Sequence, residues 1–196
     1  MKNIDDSSRR EAKNRIRWIT RTAMLFALLI AWQASSASLG NQFVTGSIVN
    51  MLLAVSVMTS GLASGLTVAA FSPVMAKFLN IGPLWGLIPF IAVGNGVYVI
   101  VWHFAGRLYK DGQGASGIAF RFAAPVAAAF AKFFVLYFGV VRIAIPFLLG
   151  LPERQAMVIS TMFSAPQLIN ALIGGGLAAL LLPALTKAIG GKQGQK

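Results

Sequence analysis

Apolar residues run along this chain in long uncharged stretches, separated by short polar or basic segments. No Asp, Glu, Lys or Arg occurs between Arg21 and Lys77, and two further uncharged stretches cover 78–106 and 155–186. A helix that crosses a bilayer needs about 20 predominantly apolar residues. Because the first stretch is long enough for two or three such helices, the pattern predicts a helical membrane protein.

Turn-forming and polar segments divide the apolar sequence into six predicted spans. The spans cover approximately 18–36, 43–58, 62–79, 84–108, 122–143 and 156–185, with a kink in the last one at Pro166. Segments 59–61 and 80–83 have the composition of tight turns, and 109–117 and 146–154 are expected to be loops. Residues 1–17 form a basic leader, 18–186 the membrane domain, and 187–196 a disordered cytoplasmic tail. The predicted fold class is an all-α integral membrane protein with six transmembrane helices.

The basic residues indicate the orientation of these spans. Seven Lys and Arg residues lie in 1–21, three lie around the loop between spans 4 and 5, and three lie in the tail, whereas Arg154 lies in a loop on the opposite side. The positive-inside rule then places both termini in the cytoplasm. An alternative interpretation of the N-terminus is a signal peptide, because the leader, the apolar run and the small residues 34–37 resemble one with its cleavage site.

Composition narrows the function classes. The net charge is +12, which in a soluble protein would indicate a nucleic-acid partner. Here the basic residues flank the spans, as expected for loops near anionic membrane lipid, so no nucleic-acid partner is predicted. The chain has no cysteine and one histidine, and it lacks both a carboxylate pair within the spans and a phosphate-binding P-loop motif. We therefore expect neither an enzyme nor a metal or other cofactor.

Charged residues inside the spans are the strongest local sign of function. Lys132 lies eleven residues beyond Arg121, about 16 Å along a helix and near mid-membrane. Such a charge costs several kcal/mol unless water, a partner or a ligand meets it, and no Asp or Glu lies in any span. Lys132 therefore predicts a polar cavity that opens outward and suits an anionic or carbonyl-rich solute. Lys77 and Arg142 either extend to the outer interface or contact that solute.

Other polar and aromatic residues are candidates to line the same cavity. Asn95 lies between two glycines in span 4, and Gln167 and Asn170 follow the Pro166 kink. The polar segment 40–50 either binds a solute or caps span 2. Trp85 and Tyr98 are candidates to stack on a flat ring, although Trp85 also fits an interfacial aromatic belt.

Small residues define one face of span 1. Ala23, Ala27 and Ala31 are spaced four apart, which lets another helix approach closely in lipid. The similar series Gly61-Gly65-Ala69 and Gly174-Ala178 are expected to serve packing within the protein.

The chain resembles the substrate-binding S components of energy-coupling factor (ECF) transporters over about 19–185. The resemblance rests on Ala23-xxx-Ala27, the segments Gly-Asn-Gln-Phe-Val-Thr-Gly at 40–46 and Pro-Phe-Ile-Ala-Val-Gly-Asn at 89–95, Ala-Lys-Phe at 131–133, and Ile-Gly-Gly at 173–175. It implies a subunit of the bacterial cell membrane that captures a vitamin-like solute from outside. It also implies that the face of Ala23, Ala27 and Ala31 docks on a transmembrane T component, which carries two ATPase subunits.

Within that resemblance, eight residues form the expected substrate pocket: Asn41, Gln42, Lys77, Trp85, Asn95, Lys132, Gln167 and Asn170. The cationic groups favour a carboxylate-bearing vitamin such as pantothenate or a folate-like molecule. A corrinoid, pyridoxine, a pyrimidine precursor and a nucleoside-like solute stay open. The alternative function is a stand-alone carrier or channel for small solutes that ATPases do not power.

Overall fold

The computed structural model describes residues 2–82, 84–111 and 115–190, with side chains over 8–82, 84–106 and 122–188. All regular secondary structure in these residues is helical. The helices are α1 (Lys2–Ala37), α2 (Gln42–Ser60), α3 (Leu62–Phe78), α4 (Ile88–Asp111), α5 (Ala115–Leu136), α6 (Glu153–Met162) and α7 (Ala165–Gly190). A 3₁₀ turn (Trp85–Leu87) precedes α4, and a π-helix (Tyr137–Leu148) continues α5.

Four helical segments of the described chain are long and apolar enough to cross a membrane. They are Gln42–Ser60, Trp85–Gly106, Phe122–Leu148 and Glu153–Ala188. Helix α3 is apolar too but has 17 residues. Helix α1 is outside this group because basic residues occupy its N-terminal half and Gln33 interrupts its apolar half. The all-α class predicted from the sequence is confirmed for the described residues, and the four long apolar helices fit the predicted membrane-embedded character.

Several helices extend further than the hydropathy pattern predicts. The expected loop at 109–117 is wrong at both ends, because α4 continues to Asp111 and α5 begins at Ala115; residues 112–114 lie outside the described chain. The expected loop at 146–154 is present but shorter, because the π-helix continues to Leu148 and α6 begins at Glu153, so that only 149–152 are non-helical. Pro146 lies inside the π-helix, where bonds such as Leu149 N to Ala144 O span five residues, and the wider turn leaves room for its ring.

The predicted kink in span 6 is a complete break. Helix α6 ends at Met162 and α7 begins at Ala165, so Phe163 and Ser164 separate two helices. Pro166 is the second residue of α7, a position where its missing N–H has no intrahelical partner to lose. At the other end, α7 is helical through 187–190, within the segment expected to be disordered, and 191–196 lie outside the described residues.

Adjacent glycines place α7 close to two helices at once. A Cβ atom at Gly174 would overlap the Ser47 carbonyl oxygen and lie 2.6 Å from Asn50 Cβ on α2. A Cβ atom at Gly175 would lie 2.7 Å from Pro125 Cβ on α5. Because successive helical residues point about 100° apart, Gly174 allows close contact with α2 and Gly175 allows close contact with α5. The internal-packing role expected for Gly174 is thereby confirmed.

Candidate functional site

A cavity of about 300 Å³ lies between the helices. It extends from the exposed connections at Gly40 and Gly82 to the buried Lys132. Its walls combine apolar side chains such as Val49, Leu136 and Phe163 with a large polar set: Gln33, Ser36, Asn41, Gln42, Thr45, Asn50, Ser72, Lys77, Asn95, Lys132, Gln167 and Asn170. No carboxylate occurs among the lining residues that the structure describes.

Lys132 is the buried charge of this cavity, with 4% of its surface exposed. Its Nζ donates hydrogen bonds of 2.7 Å to Asn50 Oδ1 and 2.7 Å to Asn95 Oδ1. The same atom lies 5.6 Å from the ring centroid of Tyr98, within the range of a cation–π contact. Amide oxygens and a ring face partly replace the hydration of an ammonium, but they carry no net charge. The positive charge is therefore solvated without being neutralised by these contacts.

Local packing fixes the two asparagines that hold Lys132. Asn50 Nδ2 donates to Gly46 O at 2.9 Å, one turn earlier on α2, so its Oδ1 is turned toward the lysine. On α4, a Cβ atom at Gly94 would lie 2.8 Å from Leu136 Cδ2 of α5. The missing side chain therefore lets α4 and α5 approach closely, which brings Asn95 within reach of Lys132.

Three other lining residues carry buried polar atoms with no hydrogen-bond partner in the described structure. These atoms are Gln33 Oε1, Ser72 Oγ, and both Oδ1 and Nδ2 of Asn170. Buried polar groups in native proteins are nearly always hydrogen-bonded, and an unpaired one costs about 1–3 kcal/mol. These residues belong to α1, α3 and α7 and line the same cavity, so a polar solute or solvent in it is placed to complete their bonding.

Hydrogen bonds at the start of α2 stabilise the open end of the cavity. Asn41 caps α2, because its Oδ1 accepts from Phe43 N at 3.0 Å and from Val44 N at 3.3 Å. Asn41 also lines the cavity, so the two expectations for the 40–50 segment are compatible. Gln42 Nε2 donates to Met162 O at 3.3 Å and thereby links α2 to the end of α6.

Seven of the eight residues expected in the substrate pocket line this one cavity: Asn41, Gln42, Lys77, Asn95, Lys132, Gln167 and Asn170. Trp85 does not. It is 54% exposed on the 3₁₀ turn before α4, and its ring packs edge-on against Phe78 with 5.4 Å between centroids. The structure thus places Trp85 outside the lining of this cavity, and its exposed position fits an interfacial belt. Tyr98 is fully buried beside Lys132 and is also absent from the lining.

The two other cations of the spans occupy different places. Lys77 is half-buried and lines the cavity near the end of α3. Arg142 is exposed on the π-helix, and its guanidinium lies 5.6 Å from the ring centroid of Tyr137. Arg142 is not among the lining residues, so of these two cations only Lys77 is placed to meet a solute in the cavity.

The sequence analysis missed several lining residues, chiefly Asn50, Gln33 and Ser72. Asn50 lies well inside α2 and gave the same signal as Asn95, a polar residue within an apolar span. The prediction for the 40–50 segment covers Asn50 without distinguishing it from the rest of that segment. Gln33 and Ser72 are single polar residues within apolar spans, and the same criterion would have found them.

The alanine face of α1 is not used in packing within the described chain. Ala23, Ala27 and Ala31 are all exposed, and Met24 and Leu28 beside them are 67% and 55% exposed. The opposite side of α1 is the packed one. For example, Thr22 Oγ1 donates to Ser64 Oγ of α3 at 2.9 Å.

No protein-family model, curated protein or solved structure matches this chain. The resemblance to S components therefore rests on the sequence motifs, and the cavity is the structural observation that bears on function.

Proposed function

We propose that this protein is the membrane-embedded S component of an ECF-type importer, which captures a vitamin or related micronutrient from outside the cell. The observation that carries the proposal is the uncompensated charge of Lys132 at the buried end of a cavity that reaches exposed connections. Because burying such a charge is expensive, its retention is best explained by a solute that uses it. The unpaired polar atoms around it support the same conclusion.

The proposed topology has six crossings, with both termini in the cytoplasm of a bacterial cell. Helices at all six predicted spans and the excess of basic residues on one side support it. Helix α1 has 36 residues and is therefore about 54 Å long, against about 30 Å for the hydrocarbon core. Its basic N-terminal part then extends beyond the bilayer on the cytoplasmic side.

The proposed energy source is a separate T component with two ATPase subunits. The chain has no P-loop motif of its own. The exposed face of Ala23, Ala27 and Ala31 is the docking surface in this proposal, since small residues permit close contact between helices in lipid.

An alanine-to-tryptophan pair tests this role. Ala27→Trp places a bulky ring on the proposed docking face, whereas Ala127→Trp makes the same change at an exposed alanine of α5. After affinity purification from the native cells, we expect Ala27→Trp to lose the co-purifying ATPases and solute uptake, and Ala127→Trp to keep both. If Ala27→Trp assembles and transports as the wild type does, the docking proposal is wrong.

Reconstitution separates this function from that of a stand-alone carrier or channel. The purified chain alone, in liposomes without ATP, is expected to bind solute but to produce no net flux of it. Solute flux under these conditions would instead establish the stand-alone carrier or channel.

A further inference from the structure

Among the described lining residues, Asn170 is the one with both polar side-chain atoms buried and without a hydrogen-bond partner. It is 1% exposed, and neither Oδ1 nor Nδ2 has a partner among the described residues. A carboxamide presents a donor and an acceptor side by side in one plane. A ligand group that satisfies both atoms must therefore present the complementary pair, as an amide, a lactam or an amino-substituted ring nitrogen does.

The position of this side chain is set by Gly46. A Cβ atom at Gly46 would lie 2.5 Å from Asn170 Nδ2 and 2.8 Å from its Cγ, so the Asn170 amide occupies space that only glycine leaves free. Gly46 O is also the acceptor for Asn50 Nδ2, and Asn50 Oδ1 accepts from Lys132. The Asn170 amide thus lies against Gly46 and the Lys132 ammonium against Asn50, one turn further along α2, and both residues line the same cavity.

The cavity also bears on the size of the ligand. A volume of about 300 Å³ lies at the lower end of the range of small-molecule pockets, and the cavity opens at the exposed connections around Gly40 and Gly82. The cavity therefore suits a small solute, whereas a corrinoid or a folate-like molecule would have to extend through the opening.

We infer that Asn170 is the specificity-determining residue of the site, and that it pairs with an amide-type edge of a small solute whose oxyanion lies at Lys132. The inference rests on the proposed function and names its substrate class. Gly46 is a positioning residue, since it acts by leaving room for Asn170. The site then discriminates by its unpaired amide, because a solute that lacks the edge leaves both buried atoms unsatisfied.

Matched pairs of probes test this inference. The first pair is orotate and benzoate, and the second is 5-oxoproline and cyclopentanecarboxylate; each pair consists of ring carboxylates of similar size, with and without an amide edge. Dissociation constants are measured by titration calorimetry on the full-length chain in detergent. We expect the wild type to bind the amide-bearing member about 10- to 100-fold more tightly in at least one pair.

Variants assign that preference to Asn170. Asn170→Leu keeps the approximate shape and removes both hydrogen-bonding atoms, and Asn170→Ala serves if leucine overfills the site. Both variants should abolish the preference while keeping the affinity for benzoate or cyclopentanecarboxylate, a split that general misfolding does not produce. Gly46→Ala should weaken the amide-bearing members selectively. Gly176→Ala is the control, because Gly176 lies on the same helix as Asn170 and has open space around it. This variant should change neither the preference for the amide-bearing probes nor the affinity for the other two.

Two results would overturn the inference. The first is an absent or misassigned preference: the wild type binds both members of each pair equally, or the preference survives in Asn170→Leu. Binding of this kind would leave the proposed function standing. The other is no binding of any of the four probes, which contradicts the ligand class assigned here. The proposed function is then judged separately by assembly with ATPases.

Discussion

At the scale of single residues, Lys132 is unusual because the burial of its charge opposes stability. Two amide oxygens at 2.7 Å solvate its ammonium, but the charge is 4% exposed and no carboxylate among the described cavity residues neutralises it. Removing the charge recovers a burial cost of several kcal/mol. It also leaves two asparagine oxygens without their donor, at about 1–3 kcal/mol each. These two terms are of similar size and opposite sign.

Lys132→Met is therefore expected to change the free energy of unfolding by less than about 2 kcal/mol in either direction. A residue kept for function is replaced at little cost in stability, whereas a structural one is not. Thermal unfolding in detergent measures this change. Arg142→Met is the matched control, because Arg142 is exposed outside the cavity lining and its loss should also leave stability nearly unchanged. A much larger loss of stability in Lys132→Met alone would indicate a structural lysine.

Most of the site could be predicted at this scale from a single rule. A polar residue within an apolar span is costly and therefore indicates a functional or structural role. This rule identifies Lys132, Asn95 and Asn170. The same rule would have found Asn50. Trp85 differs because sequence position gives no side-chain direction: on the 3₁₀ turn before α4, its ring packs against Phe78 and is not part of the cavity lining.

At the scale of helices, the contact of α7 with α2 shapes the cavity wall. Gly174 meets the backbone of α2 at Ser47 and Met51, and it lies against the side chain of Asn50. Any side chain there must separate the helices and move Asn50, which holds Lys132.

Gly174→Ala and Gly176→Ala form a matched pair on this helix. We expect Gly174→Ala to lower the free energy of unfolding by about 1–3 kcal/mol through overpacking, and to weaken solute binding by displacing Asn50. Gly176 has open space around it, so Gly176→Ala should be neutral or stabilising by about 0.5–1 kcal/mol. Unfolding of both variants in the same detergent measures the difference, and equal effects would contradict the close contact.

The fold at this scale was predictable in outline but not at the helix ends. Uncharged stretches located a helix at every predicted span. Polar residues such as those at 109–117 did not stop α4 and α5, because water outside the bilayer tolerates polar helices as well as loops. Proline gave two inaccurate predictions. Pro146, expected in a loop, lies within a helix of π geometry. Pro166, expected to kink a helix, lies just after a break between two helices.

At the scale of the whole molecule, the orientation of the bundle decides which side of the membrane the cavity serves. The chain has no cysteine, so single cysteines can be labelled without background. Exposed positions are available on each predicted side: Ser38 and Gln155 outside, Lys13 and Lys187 inside.

In intact spheroplasts, an impermeant maleimide should label Ser38→Cys and Gln155→Cys but not Lys13→Cys or Lys187→Cys. Inverted vesicles should give the opposite pattern. Labelling of Lys13→Cys and Lys187→Cys from opposite sides would mean an odd number of crossings, which contradicts the proposed six.

If the buried ammonium of Lys132 marks a solute chamber, the protein should retain its solute through the lysine. Native mass spectrometry of the wild type and Lys132→Met, purified side by side from the native cells, measures this. We expect the wild type to carry an additional small-molecule mass and Lys132→Met, folded to the same extent, not to carry it. A wild type and variant that retain the same molecule equally, or a wild type that retains none, would contradict this expectation.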